Sequence, residues 1–517
     1  MNLRVKSFFF KNHLGYSMKK IVFFILVAFI SAFSFTQSSS ADITTEVIDE
    51  SGNQVQANVT ITNTGTNLTR SEATDSEGFA QFSAVPAGNY LISIIANGYN
   101  RYSSEVSISA GDNSVLARII SSDLEDVVVT AFIEKSLNFE SNETGIKVDV
   151  DDLYFRTPQS RSLENIMLLA PQATFNQEFG IPSVSGSTSA ENGFYINGFN
   201  VVNQVSLLGY ESVPFDFIDT VDVKAGGFQA EFGKVTGGLT YVTTRSGTNE
   251  FEAKLRVRYA PDALLWDQPN TYSADNDADE FDSYAYSVMF SGPIVEDRLF
   301  YSVIANPSAS DQFFAGETSG RGYKYDSRNA TYAAKIDAYF DDNNILELTY
   351  FNNSTRRNER TYAWTSSTNT LGDQVGDTPT VQPFGGETYI ASFTSVINDV
   401  FSLNYLYGET GTDTTAILGE TGCNIVRDYS GIGGGELGVN FNMGCWTDTL
   451  QSVTVTENYV NKLTFDVDVE NHFIRFGYEQ EVVKVRDATE TVGNTTKGIY
   501  YYDAPQINDN FPSYYFT

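Results

Sequence analysis

Histidine is nearly missing from this chain of 517 residues: His13 and His472 are the only two, and Cys423 and Cys445 are the only cysteines. A Ser-His-Asp triad, a Cys-His pair or a His-ligated zinc site therefore lacks its parts. Basic residues are also scarce, 32 Lys and Arg against 65 Asp and Glu for a net charge of −33. Nucleic acid needs a basic face, so that class of partner is excluded. Beyond residue 41 no apolar run approaches the ~20 residues of a spanning helix. Only a closed barrel then remains as a way across a bilayer, because it too satisfies every backbone group. Gly433, Gly435 and Gly438 match a G-x-G-x-x-G spacing, but in a glycine-rich loop rather than between a strand and a helix. The acidic run 275–280 lacks the glycine and distal Glu of an EF-hand and reads as a solvated loop. No enzymatic activity, cofactor or metal is expected.

What is present begins with a targeting segment. Met18, Lys19 and Lys20 precede an apolar stretch from Ile21 to Phe35, and Ser39, Ser40 and Ala41 form a small-residue exit. This is the pattern of a secretory signal peptide with residues 1–17 as an upstream extension. Cleavage after Ala41 removes five basic residues and no acidic one, taking the net charge to −38. In an exported chain the lone pair Cys423 and Cys445 suits a disulfide that closes a loop; two unpaired thiols are the alternative.

Residues 42–120 carry short alternating segments separated by turn formers at 50–53, 63–65, 75–78 and 86–88, as in a β-sandwich. The order of the "D-E-S-G-N", "T-D-S-E-G-F" and "V-P-A-G-N-Y" runs resembles carboxypeptidase regulatory-like domains, which are akin to a carbohydrate-binding-like fold. Residues 121–136 read as a linker. From 137 to 250 a compact, glycine-rich insert is expected, with a short helix near 157–171 ended by Pro171. Its densest part, Phe217 to Gly233 followed by Gly237 to Thr244, reads as strand, glycine turn, aromatic elbow and second strand, entered through paired glycines.

From Phe251 onward the period becomes two. Tyr284, Tyr286, Val288 and Phe290 share one face, while Ser283, Ala285, Ser287 and Ser291 share the other. Tyr332 to Phe340 and Lys462 to Asp468 repeat the pattern. One apolar and one polar face suits a membrane barrel with a wet lumen, though a soluble sandwich has the same periodicity. Tight turns at 295–297, 341–344, 398–399 and 469–471 alternate with long polar stretches at 262–282, 307–328, 355–386 and 411–455. Short turns at one end and long loops at the other favour the barrel. Nine strands are clear, with a tenth near 497–503. Trp266, Trp364 and Trp446 all fall in the long stretches, as ligand-stacking platforms, loop cores or interface anchors.

The insert resembles the plug of TonB-dependent outer-membrane receptors, in their Oar-like branch. The resemblance rests on Asn197 and Gly198 in an "I-D-G" strand and turn, where Asn replaces the usual Asp. It rests also on Gly226, Gly227, Phe232, Gly233, Gly237 and Gly238 in the closing motif. It implies that Asp126, Val127, Val128, Val129, Thr130 and Ala131 form a TonB box, an extended segment able to add to a partner's sheet edge. A mainly β chain is thus expected: a leader over 1–41, the sandwich, a linker with the TonB box, the plug over 137–250 and the first strands of a large transmembrane barrel over 251–517. Implied partners are TonB with its inner-membrane energising complex, outer-membrane lipid and a scarce solute such as a siderophore, oligosaccharide or peptide. The sandwich and TonB box are placed in the periplasm. The family's roughly 22-stranded barrel makes the 517 residues look like an N-terminal portion. A structural or adhesive surface protein built on the same barrel is the alternative.

Overall fold

The computed structural model describes residues 40–108, 111–121, 144–156, 161–177, 180–228, 232–266, 269–271, 276–316, 320–398, 400–416, 425–428, 441–443, 450–469, 472–491, 499–502 and 514–516. The signal-peptide core, the 126–131 segment, Cys423, Cys445 and Trp446 lie outside these residues. The chain is mainly β, and among the described residues no helix is long and apolar enough to cross a membrane.

Seven strands make the N-terminal module: β1 (Ser40–Ile48), β2 (Asn58–Asn63), β3 (Thr69–Ala73), β4 (Phe79–Pro86), β5 (Gly88–Ile95), β6 (Tyr102–Ile108) and β7 (Gly111–Arg118). They form two sheets, ordered β4-β1-β7 and β3-β2-β5-β6. Strict alternation drives the packing: in β6 every second residue from Tyr102 is buried. Ile43, Val59, Ile61, Phe82, Tyr90 and Ile92 fill a core drawn entirely from this module.

The insert follows as β8 (Thr144–Asp149), α1 (Val150–Arg156), α2 (Leu163–Met167), β9 (Ala173–Thr174), β10 (Ser183–Val184), β11 (Gly193–Ile196), β12 (Phe199–Asn200), β13 (Ile218–Gly226) and β14 (Leu239–Thr244). Its main sheet has the order β12-β11-β14-β13-β8. Helix α2 starts where the Ser162 hydroxyl accepts from the Asn165 N–H at 3.3 Å, satisfying one of the free donors of the first turn.

Nine antiparallel strands form a wall: β15 (Glu252–Ala260), β16 (Glu280–Val295), β17 (Leu299–Ala315), β18 (Arg321–Asp341), β19 (Asn344–Asn352), then β22 (Gly386–Asn398), β23 (Phe401–Asp413), β26 (Leu450–Val469) and β27 (His472–Thr491). Between β19 and β22 a hairpin of β20 (Thr355–Thr365) and β21 (Thr370–Phe384) branches off and pairs with the first part of β18.

Two expectations change. In their described residues the stretches 307–328 and 355–386 are largely strand rather than loop, because β17 pairs with β18, β18 with β20 and β20 with β21 there. Their Ser, Thr, Tyr and Asn residues give no apolar contrast from one face to the other, so the period of two is hidden. At 21 residues β18 is about twice the length of a strand that spans a bilayer. The tenth strand, β28 (Ile499–Tyr502), does not extend the wall. Only four residues long, it pairs in parallel with β24 (Ile425–Asp428) in a separate small sheet with β25 (Phe441–Met443) and β29 (Tyr514–Phe516).

Candidate plug and wall interface

The wall turns its polar face inward. Ser302, Lys335, Asp337, Thr349, Thr388 and Asn404 are buried, whereas Leu255, Tyr286, Val303, Ile336, Leu348 and Phe476 on the opposite face are exposed. A soluble sheet buries its apolar side, so this arrangement is the reverse of a soluble sheet's and has the polarity of a barrel strand with a wet lumen. Periodicity does not tell which face is covered; the insert packs on the polar one.

The insert shares its core with the wall. Met289, Ile304, Ala333, Phe351, Ile390, Leu406 and Val460, one from each of seven wall strands, cluster with Phe194, Ile196, Phe199, Val201 and Val242 of the insert. Met289 pairs with Ile304, Ile304 with Ala333 and Ala333 with Phe351 across neighbouring strands, so these residues form a belt along the inner face. At Gly408 of β23 the wall has no side chain, and a Cβ there would strike the Phe199 ring.

Asn197 stands at the centre of the interface. It adopts a left-handed φ of 46° in the turn between β11 and β12, followed by Gly198 at 84°. Its side-chain N–H groups donate to Thr244 Oγ1 at 2.7 Å and to Thr349 Oγ1 of the wall at 3.0 Å, and its oxygen accepts from the Thr244 N–H. A carboxylate has no N–H to offer these hydroxyls. Asn at this position is an active link, beyond serving as a turn former.

The closing glycine motif is positioned by packing. Gly226 ends β13 and Gly227 has a φ of 75°. A Cβ on Gly238 would lie 2.5 Å from Val184 Cβ, and Gly237 faces the Ser187 hydroxyl in the same way. Phe232 packs edge-on against Tyr195 and Tyr241, with the ammonium groups of Lys224 from the insert and Lys462 from the wall about 6 Å from its ring. Gly233 accepts from the Tyr195 hydroxyl at the long distance of 3.5 Å, and the next residue, Lys234, pairs with Glu481 of β27.

Charge is concentrated near the tight-turn end. Lys335 lies 2.8 Å from Glu347 and 3.4 Å from Asp337, and donates to Ser246 just beyond β14 at 2.9 Å. Arg245 reaches Asp151 at 2.8 Å and Asp219 at 3.6 Å. Burial pushes the Asp219 carboxyl above its usual range, and Arg245 partly offsets this. At the other end of the insert, Glu211 accepts from Asn353 of the wall at 2.9 Å, and burial raises its pKa despite that bond. Sequence reasoning missed the Lys335 cluster and Gly408. The one available clue was Lys335 and Asp337 at alternate positions of a strand otherwise rich in Ala and Tyr.

The tryptophans part company. Trp364 is buried against Phe313, Ala315 and Leu371 in a small core outside the insert's reach. Trp266 is 88% exposed.

Comparison with known proteins bears on two regions. The Carboxypeptidase regulatory-like domain family matches residues 42–120. The TonB-dependent transporter Oar of Myxococcus xanthus is 26% identical over 293 residues, which is 53% of this chain and 27% of that protein. The resemblance to Oar-like TonB-dependent transporters with an N-terminal regulatory-like domain therefore holds, and the chain spans about a quarter of that relative's length. Among solved structures, the outer membrane transporter YddB from Escherichia coli matches 65% of this chain and 46% of its own, at 13% identity and a TM-score of 0.42. The siderophore receptor PirA from Acinetobacter baumannii matches 67% and 48%, at 14% identity and a TM-score of 0.40.

Proposed function

We propose that this chain belongs to a TonB-dependent outer-membrane transporter, with a periplasmic sandwich over 42–120, a linker with a TonB box over 121–136, a plug over 137–250 and barrel strands over 251–517. The observation that carries this reading is the inverted wall, apolar outward and polar inward against an insert that shares its core. Similarity to a TonB-dependent transporter supports it. The outer membrane has neither ATP nor an ion gradient of its own, so moving a seated plug needs force from elsewhere. Asp126 to Ala131 supply the handle: three Val ahead of Thr favour an extended segment whose free backbone groups pair with the edge of a TonB sheet. The solute is a scarce siderophore, oligosaccharide or peptide captured from outside. Exposed Trp266 is a candidate contact for it, whereas Trp364 of β20 is buried in a small core with Phe313 and Leu371.

Val128→Pro tests the handle. Proline removes an N–H donor and fixes φ, which damages strand addition. The variant should insert normally, lose energy-dependent uptake and cross-link weakly to TonB. Unchanged uptake and cross-linking would remove 126–131 from the mechanism and favour a display role for the barrel.

A further inference from the structure

We propose that the N-terminal sandwich is a detachable clamp on the tight-turn end of the wall, one that must lift before the plug can move. The inference rests on the transporter reading for its direction, since the tight turns are then periplasmic.

The contact is built from turns. Between β2 and β3, Leu68 is only 4% exposed and packs with Phe300, Tyr339 and Ile345 of the wall. Beside it Asn67 donates to Asp297 in the β16–β17 turn at 3.0 Å, and Arg70 donates to the Asp342 carbonyl in the β18–β19 turn at 3.2 and 3.1 Å. Asp42 of β1 lies 2.6 Å from Arg475 of β27, which also holds Asp466 of β26 at 2.7 Å. On the plug, Asn113 of β7 accepts from Lys147 of the edge strand β8. The sandwich thus ties three wall hairpins to the plug and stands across the path by which the plug, or a solute, leaves toward the tight turns.

The two attachments differ in kind. The plug's core is continuous with the wall, so moving it breaks apolar packing on seven strands. The sandwich closes its core within itself; toward the wall it offers Leu68, the close approach of β4 to β22 and β23, and polar links that water can replace, and no cluster spanning many wall strands like the plug's. A module attached in this way detaches without unfolding.

The test uses the full-length protein in outer membranes, with Cys423→Ser and Cys445→Ser as background. Leu68→Cys is treated from the periplasmic side with an impermeant maleimide, in cells with and without TonB, and Ser51→Cys in an exposed turn is the reference. Without TonB, Leu68→Cys should label at least fivefold more slowly than Ser51→Cys, and functional TonB should close that gap. A second variant locks the clamp: a Cβ at Gly65 would lie 3.2 Å from Thr248 Cβ, a few tenths of an ångström closer than the roughly 3.5–4.5 Å of a disulfide, so a small shift of these two turns lets Gly65→Cys/Thr248→Cys be bridged by oxidation. With the bridge closed, TonB-driven labelling of the buried plug position Val201→Cys should vanish, and it should return on reduction. Labelling of Leu68→Cys that ignores TonB, fast or slow, overturns the clamp, as does plug labelling that ignores the bridge. TonB cross-linking to 126–131 in the same cells separates the two failures: if it persists, the clamp alone is wrong; if it is absent, the transporter reading falls with it.

Discussion

Gly408 and Phe199 show how one missing side chain seats the plug. The ring occupies the space a Cβ would fill, so Gly408→Ala overpacks the joint and should weaken plug seating by about 1–3 kcal/mol. Protease resistance of the plug in detergent-solubilised protein against urea reads the loss, and Phe199→Leu should recover part of it. Additive losses in the double variant would mean that the two residues do not meet. Glu211 gives a pH-dependent counterpart. Its carboxyl is raised by burial, so the folded state resists its ionisation. The penalty is absent below the unfolded value of about 4.3, grows as pH rises through it and is complete above the folded value. Glu211→Gln keeps an acceptor for Asn353 and removes the charge. The variant should hold the plug more firmly than the parent at pH 7 and match it at about pH 3.5. A gain that is equal at both pH values would assign the effect to something other than ionisation.

Individual elements were readable to the degree that their two faces differ. The Tyr332 to Phe340 segment alternates large apolar residues with Lys335 and Asp337, and it is strand in both sequence and structure. The β20–β21 hairpin was hidden because its many Arg, Asn, Thr and Gly residues give no apolar contrast between its faces. Paired glycines at 237–238 announced a close approach, but no sequence feature names Val184 as what approaches. Likewise Leu68 is one apolar residue among polar turn formers, and its role depends on hairpins more than 200 residues away. The stretch 411–455 carries a prediction of its own. Cys423 and Cys445 should be joined in the exported protein, and non-reducing peptide mapping should recover their tryptic segments as one species. Two free thiols after export would refute the bridge. Loss of the bridge should expose the surrounding stretch to protease while leaving the wall's heat-modifiable mobility unchanged, since the cysteines fall between β23 and β26 in sequence and outside both.

For the whole molecule the decisive property is which face of the wall meets the surroundings, and a charge placed there gives opposite results in lipid and in water. On β18 the outward residues between Tyr332 and Phe340 span nine positions, matching the 9–11 residues of a membrane strand. Tyr332 sits 6.0 Å from Tyr350, which sits 4.8 Å from Tyr389, so an aromatic row marks one edge of this band. Ile336 lies midway along it, 40% exposed. In a bilayer Ile336→Arg should cost about 2–4 kcal/mol, because the guanidinium is held near the midplane. Phe476→Arg, on the exposed face of β27, should behave alike, whereas Ser51→Arg in the sandwich should be neutral. The full-length variants should show less heat-modifiable, membrane-protected protein, with the two wall substitutions reinforcing one another. If the outward face instead met water, both would be surface changes worth less than about 0.5 kcal/mol and would raise solubility. Normal membrane assembly of the Ile336→Arg/Phe476→Arg chain would therefore remove lipid from outside the wall, and with it the physical basis for a transporter.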